Sequence, residues 1–285
     1  MASNLTRRVA FAAVAIPVAA VLLWWGGWAL VALVSAAAVL GTRELFDLSR
    51  RQGVAPLAGL GLTAAALVAP LTYLALTAGQ GLPVSALDLG VVGLVLLLFI
   101  ALAARRPDER PLAAVAVTLF GVLYAGGLPS YLLVIRHARY GTASLAGLAL
   151  VMFPLVVTWV CDTAAMFGGK AVGGRKLAPV ISPGKTWAGS VAGVAGALVV
   201  APAYAAYALT PAGIAFPVAD ALLFAGVLAV AGQAGDLAES LFKREAGVKD
   251  SSQLIPGHGG VLDRFDSLYV VLPVAALLYR AFGVL

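Results

Sequence analysis

Five acidic side chains in the second half of the sequence stand where long apolar runs end: Asp162, Asp236, Glu239, Asp263 and Asp266. Asp236, Glu239 and Ser240 are spaced so that a helix shows all three on one face. An ionisable group in lipid costs roughly 2.5–3.5 kcal/mol at the bilayer centre and less near the interface, so it needs a partner or a task. A cap or an interhelical hydrogen bond would account for one of them. Asp263 and Asp266 flank Arg264 where the last apolar run opens. Carboxylates at a helix start are favourable caps, worth about 0.3–1 kcal/mol. Capping does not account for two of them together with Asp236 at the end of the preceding helix. If the intervening loop folds back, the three carboxylates repel one another unless a cation sits between them. Hard oxygen ligands favour magnesium, which keeps waters for a phosphate substrate. A magnesium site at Asp236, Asp263 and Asp266 is the expectation, and the first half of the chain has nothing comparable.

The cations nearby complete the picture. Lys170, Arg175, Lys176, Lys185, Lys243, Arg244 and Lys249 lie in the same two stretches, among the glycines 168–169, 173–174 and 257–260. Glycine lets backbone amides approach phosphate closely, and lysine and arginine neutralise it. The pattern points to polyphosphate. Gly184-Lys185-Thr186 looks like the end of a phosphate loop, but the required first glycine would fall at Pro179 and no strand precedes it. His258 sits between glycines, where acid–base work and a phosphate contact are both open. Neither His137 nor His258 belongs to a zinc array, and the single cysteine, Cys161, excludes a disulfide within the chain.

The elements that position these groups are read from hydropathy. The chain has 285 residues, 62% hydrophobic and 11% charged, against about 25% charged in a soluble domain. Too little polar sequence remains to cover a water-soluble core. A span needs about 20 apolar residues, and nine runs qualify: 9–26, 28–46, 57–77, 85–104, 112–135, 144–168, 186–208, 217–238 and 266–284. Lone strands cannot satisfy their backbone in lipid, so all are helices. The expected fold is an all-α, polytopic integral membrane protein. The first two runs form a tight hairpin at Gly26-Gly27. Arg7-Arg8 followed by Val9–Trp25 has the look of a signal peptide without its cleavage site, so it reads as a retained span. With the N-terminus in the cytoplasm, 16 of the 19 lysines and arginines fall inside, leaving Arg136, Arg139 and Arg280 outside. The formal charge of +6 therefore serves a membrane or phosphate partner and not nucleic acid. Residues 1–140 read as helices for packing, lipid access or homodimer formation. Residues 141–285 read as the catalytic region, with cytoplasmic loops at 169–185 and 239–265.

Ser240-Leu-Phe-Lys-Arg244, then Lys249-Asp250, then His258-Gly-Gly-Val-Leu-Asp-Arg-Phe-Asp266 resembles the signature of the phosphatidate cytidylyltransferases, also called CDP-diacylglycerol synthases. Asp162–Ala165, Lys176–Trp187 and Gly232–Leu237 resemble the same family. The likeness is specific from about residue 155 onward. One departure is Ala188, where the family commonly carries an acidic residue. The resemblance implies transfer of a cytidylyl group from CTP to phosphatidic acid, giving CDP-diacylglycerol and pyrophosphate, at the cytoplasmic face of the inner membrane. It implies magnesium on Asp236, Asp263 and Asp266, with a second cation such as potassium nearby. Lys243, Arg244, Lys249 and Arg264 would bind the triphosphate or the lipid phosphate, and Ser240 and His258 would position phosphate oxygens. Asp250 lies within the signature and joins the catalytic set. Asp162, Lys176, Ser182, Lys185 and Thr186 would line the other wall, and Gly259 and Gly260 would meet substrate. A CDP-archaeol synthase or a polyprenol kinase shares the CTP chemistry with another acceptor. An ion-coupled transporter would place polar residues at span centres in both halves, which this sequence does not.

Overall fold

The computed structural model describes residues 2–78, 86–255 and 259–285. It is all-helical apart from one small hairpin. In chain order the helices are α1 (Ala2–Trp25), α2 (Gly27–Arg51), α3 (Ala58–Thr77) and α4 (Ala86–Ala104). Then α5 (Pro111–Gly121) runs through a π-helical segment, Val122–Gly127, into α6 (Leu128–His137). After α7 (Leu145–Val172) come β1 (Lys176–Ala178) and β2 (Ser182–Thr186). Next are α8 (Trp187–Tyr204), extended by a π-helical segment at Ala205–Leu209, and α9 (Val218–Glu245). The short α10 (Leu262–Phe265) and α11 (Leu268–Ala281) close the chain.

The polytopic membrane architecture agrees with the hydropathy reading, but the span count does not. Among the described residues six helices are long and apolar enough to cross a membrane: α2, α3, the continuous Pro111–His137, α7, Trp187–Leu209 and α9. At the other three expected positions the described apolar helical stretches are Ala13–Trp25, Gly90–Ala104 and Leu268–Ala281, each below that length. At the last of these the helix starts only after Asp266 and Ser267, two residues that the apolar run had absorbed. The loop expected at 169–185 also differs. Clear of the apolar helices, its backbone pairs with itself, Lys176 opposite Thr186 and Ala178 opposite Ser182.

Small residues set how closely the helices approach. A Cβ on Gly189 would lie 2.7 Å from the Ala165 carbonyl oxygen, one on Gly193 2.9 Å from that of Cys161, and one on Gly196 2.7 Å from the Ala164 Cβ. Alanine and glycine therefore form a seam along which α7 and α8 nearly touch. The main core lies between α7, α9 and α11, where Phe153 stacks on Phe224 and the Tyr279 hydroxyl donates to the Leu150 carbonyl at 2.9 Å. At the opposite end from the acidic cluster, Gly26 alone links α1 to α2, as the hairpin expectation required. Arg136, fully buried, donates to the Leu23, Trp24 and Gly141 carbonyls at 2.8, 2.6 and 2.8 Å, and the Gly27 amide donates to His137 Nε2 at 3.0 Å. The bonds to Leu23 and Trp24 satisfy carbonyls that the end of α1 leaves open, and the bond to His137 satisfies an amide at the start of α2.

Candidate active site

The close α7–α8 seam ends at the hairpin, and α9 passes beside it. Between them lies a cavity of about 380 Å³. Its polar wall carries Asp162 and Lys170 from α7, Lys176 and Lys185 from the hairpin, and Gln233 and Asp236 from α9. Its apolar wall carries Ala165, Met166 and Leu177. Lys185 Nζ meets Asp236 Oδ2 at 2.5 Å, and the Ser240 hydroxyl donates to Asp236 Oδ1 at 3.3 Å. Ser190 donates to Gln233 Oε1, while the Gln233 amide reaches the Ser190 carbonyl at 3.3 Å and Cys161 Sγ at 3.6 Å. Gln233 thus ties α7, α8 and α9 together at the cavity floor. Its signal in the sequence was an amide inside an apolar helix.

Thr186 is buried and its hydroxyl accepts from the Gly189 amide at 3.0 Å. It caps α8, a task that the sequence reading did not give it. Ser182 opens β2 and is not among the residues that line the cavity. Arg244 Nε donates to the Ile181 carbonyl at 3.1 Å and its Nη1 to that of Val248 at 2.8 Å, which latches the hairpin tip to α9.

A second cluster forms where α9, the loop 246–261 and α10 meet. Lys243 Nζ lies 2.7 Å from Asp263 Oδ1 and 3.1 Å from Glu239 Oε1. Lys243 is buried, so its charge is matched by two carboxylates within the protein. Asp263 Oδ2 accepts from the Ser251 amide at 2.9 Å, the Ser251 hydroxyl at 2.8 Å and the Gly260 amide at 2.8 Å. Burial alone would raise the Asp263 pKa, but the hydrogen bonds from Lys243, Gly260 and Ser251 outweigh it and hold the carboxyl below its usual range. The glycines here have a task other than meeting phosphate. Gly259 has φ +84°, and a Cβ there would lie 2.7 Å from Asp263 Oδ2. The Gly260 amide is spent on Asp263.

The three aspartates expected to share a cation are therefore divided. Asp236 faces the cavity, Asp263 is occupied in the loop network, and Asp266 Oδ1 accepts from the Ser267 amide at 2.6 Å. Asp162, Asp236 and Asp266 form the mutually repelling set. Among the described residues no three histidine, cysteine or carboxylate side chains are close enough to hold a metal ion. Lys249, Asp250 and Arg264 are exposed around the loop. His258 lies outside the described residues.

The expectation that the first half offers no comparable carboxylate is corrected by Glu44. It reaches from α2 into the second cluster and accepts from the Ser252 hydroxyl and the Val261 and Leu262 amides, with Ser251 Oγ 2.9 Å from its Oε2. The signal was available: a carboxylate within the apolar run 28–46 demands partners. No local spacing could say which.

Comparison with known proteins places this geometry. The Cytidylyltransferase family matches residues 6–282. The phosphatidate cytidylyltransferase of Synechocystis is 35% identical over 293 residues, covering 94% of each chain. Phosphatidate cytidylyltransferase 4, chloroplastic, of Arabidopsis thaliana is 34% identical over 93% of this chain and 71% of its own. The phosphatidate cytidylyltransferase of Haemophilus influenzae is 44% identical over 146 residues, so the match spans only about half of that relative's length.

Proposed function

Because the chain belongs to the Cytidylyltransferase family, we propose that it transfers a cytidylyl group from CTP to phosphatidic acid, releasing pyrophosphate. The observation that carries this reading is the cavity where Lys170, Lys176 and Lys185 meet Asp162 and Asp236 beside an apolar wall. A lipid phosphate and a nucleoside triphosphate are both anions, and one of them brings acyl chains.

In the proposed step an oxygen of the lipid phosphate attacks the α-phosphorus of CTP. The new phosphoanhydride bond forms as the bond between the α-phosphorus and the bridging oxygen breaks, and that oxygen leaves on pyrophosphate. The attacking monoester is already anionic at neutral pH, so positioning and charge neutralisation suffice. Lys185 is held over the cavity by Asp236, and phosphate oxygens would compete for its ammonium. Lys170 and Lys176 add positive charge to the same wall. Ser240 orients Asp236.

Magnesium bound through substrate phosphates needs only one or two protein carboxylates. The wall bearing Asp162 and Asp236 fits that mode, whereas no protein-only cage exists among the described residues. When bound, the ion would neutralise charge that builds on the departing pyrophosphate. The lysine- and arginine-rich face would lie in the cytoplasm, under the inner membrane.

Purified protein with CTP, magnesium and phosphatidate should release pyrophosphate and form CDP-diacylglycerol. Pyrophosphate release with an ether-lipid phosphate, and none with phosphatidate, would replace the acceptor, and CDP formed with free dolichol would mark a kinase instead. No release with any of them would overturn the reaction.

A further inference from the structure

We propose that Glu44 is a positioning residue for this transfer, acting from the half of the chain that lacks the signature; the inference rests on the reaction proposed above. Glu44 is 4% exposed, and Ser252 Oγ and the Val261 and Leu262 amides donate to it, while Ser251 Oγ shares its one hydrogen between Glu44 and Asp263. Oε1 accepts from Ser252 Oγ at 2.7 Å and the Val261 amide at 3.0 Å. Oε2 accepts from the Leu262 amide at 2.8 Å and lies 2.9 Å from Ser251 Oγ. Ser251 and Ser252 belong to the loop that follows α9, whereas Val261 and Leu262 lie where α10 begins. A single side chain therefore closes the loop from outside it.

The consequence reaches the charged groups. The Ser251 amide donates to Asp263, which holds Lys243, and the single hydrogen of the Ser251 hydroxyl lies between Glu44 Oε2 and Asp263 Oδ2. Exposed Lys249 stands two residues before Ser251, and exposed Arg264 two residues after Leu262. Glu44 thus fixes the feet of the loop on which both cations stand, and so fixes the distance between them. Gly260 lies against the junction: an added Cβ would overlap Ser251 Oγ and Glu44 Oε2. Each oxygen takes one backbone amide, so a glutamine in either orientation turns its NH₂ toward a donor that cannot rotate away.

The test is Glu44→Gln in full-length protein in detergent, with wild type alongside. Pyrophosphate release from CTP and phosphatidate should fall on the order of 10²-fold in kcat/KM, as when a reacting group is misplaced by about 1 Å. Helical content should stay near wild type, while Tm falls as it does when a buried charged network is broken. Amide exchange should quicken only in the segment 249–265. Glu44→Asp, which keeps the charge, should recover part of the rate. A role confined to folding would lower the yield of folded protein and leave the kinetic constants of the folded fraction unchanged. If Glu44→Gln does not fold, Ser252→Ala removes one of the hydrogen bonds to Glu44 and should cost about tenfold. Unchanged constants in folded Glu44→Gln, or in Ser252→Ala when Glu44→Gln does not fold, would overturn the inference alone. An inactive wild type would overturn the assigned reaction and the inference with it.

Discussion

At the scale of single residues, carboxylates that look alike in the sequence have different work. Asp236 is partly open to the cavity and paired with Lys185, whereas Asp263 accepts four hydrogen bonds within the protein. Asp263→Asn turns an NH₂ toward Lys243 or toward the backbone donors of Ser251 and Gly260. It should cost about 2–4 kcal/mol of stability, the range for breaking a buried charged network. Asp236→Asn should leave Tm nearly unchanged and abolish pyrophosphate release. Thermal melting and turnover on both variants check the contrast, and equal losses of stability would contradict it. The pH dependence follows from the depressed Asp263 pKa. Its stabilisation is fully present above the unfolded carboxylate value of about 4 and is lost as pH falls through the lower folded value. Melting of the wild type should therefore acquire an acid limb below about pH 4 that Asp263→Asn lacks.

Among the elements, the hairpin β1–β2 shows how local chemistry positions the cavity wall. Residues 169–185 read as a glycine-rich loop, because prolines and lysines there carry no strand periodicity. The structure pairs Lys176 with Thr186 and caps α8 with the Thr186 hydroxyl. Lys185, next to that cap, is thereby aimed at Asp236. Thr186→Val deletes the capping oxygen while nearly preserving volume. It should lower stability by roughly 0.5–2 kcal/mol and weaken CTP binding through displacement of Lys185, whereas Thr186→Ser should keep both. Melting and the KM for CTP read the two effects. The α7–α8 seam was legible as a run of glycines and alanines, yet which carbonyl each glycine faces, such as Ala165 opposite Gly189, required the packed pair.

For the whole molecule, the division at residue 140 does not isolate the site. Glu44 bonds to residues more than 200 positions away, and Leu45, Phe46, Tyr124, Leu262 and Tyr269 share one core cluster. The two ends of the bundle are also unlike. Lys249 and Arg264 stand at the acidic cluster, whereas Arg136 lies at the opposite end with the α1–α2 turn. If the cation-rich end is cytoplasmic, cysteine placed at 249 should react with an impermeant thiol reagent only from the cytoplasmic side of sealed vesicles, and cysteine at 139 only from the other. Cys161 is buried and supplies little background. The reverse pattern would invert the orientation. Membrane class and helical architecture were determined by the sequence itself, because hydropathy and helical spacing are local properties. Tertiary structure alone decided that Asp263 belongs to Lys243, that Asp236 belongs to Lys185, and that Glu44 closes the loop. Each of these is a choice among several nearby donors, and helix packing, not spacing along the chain, brings one of them within hydrogen-bond reach.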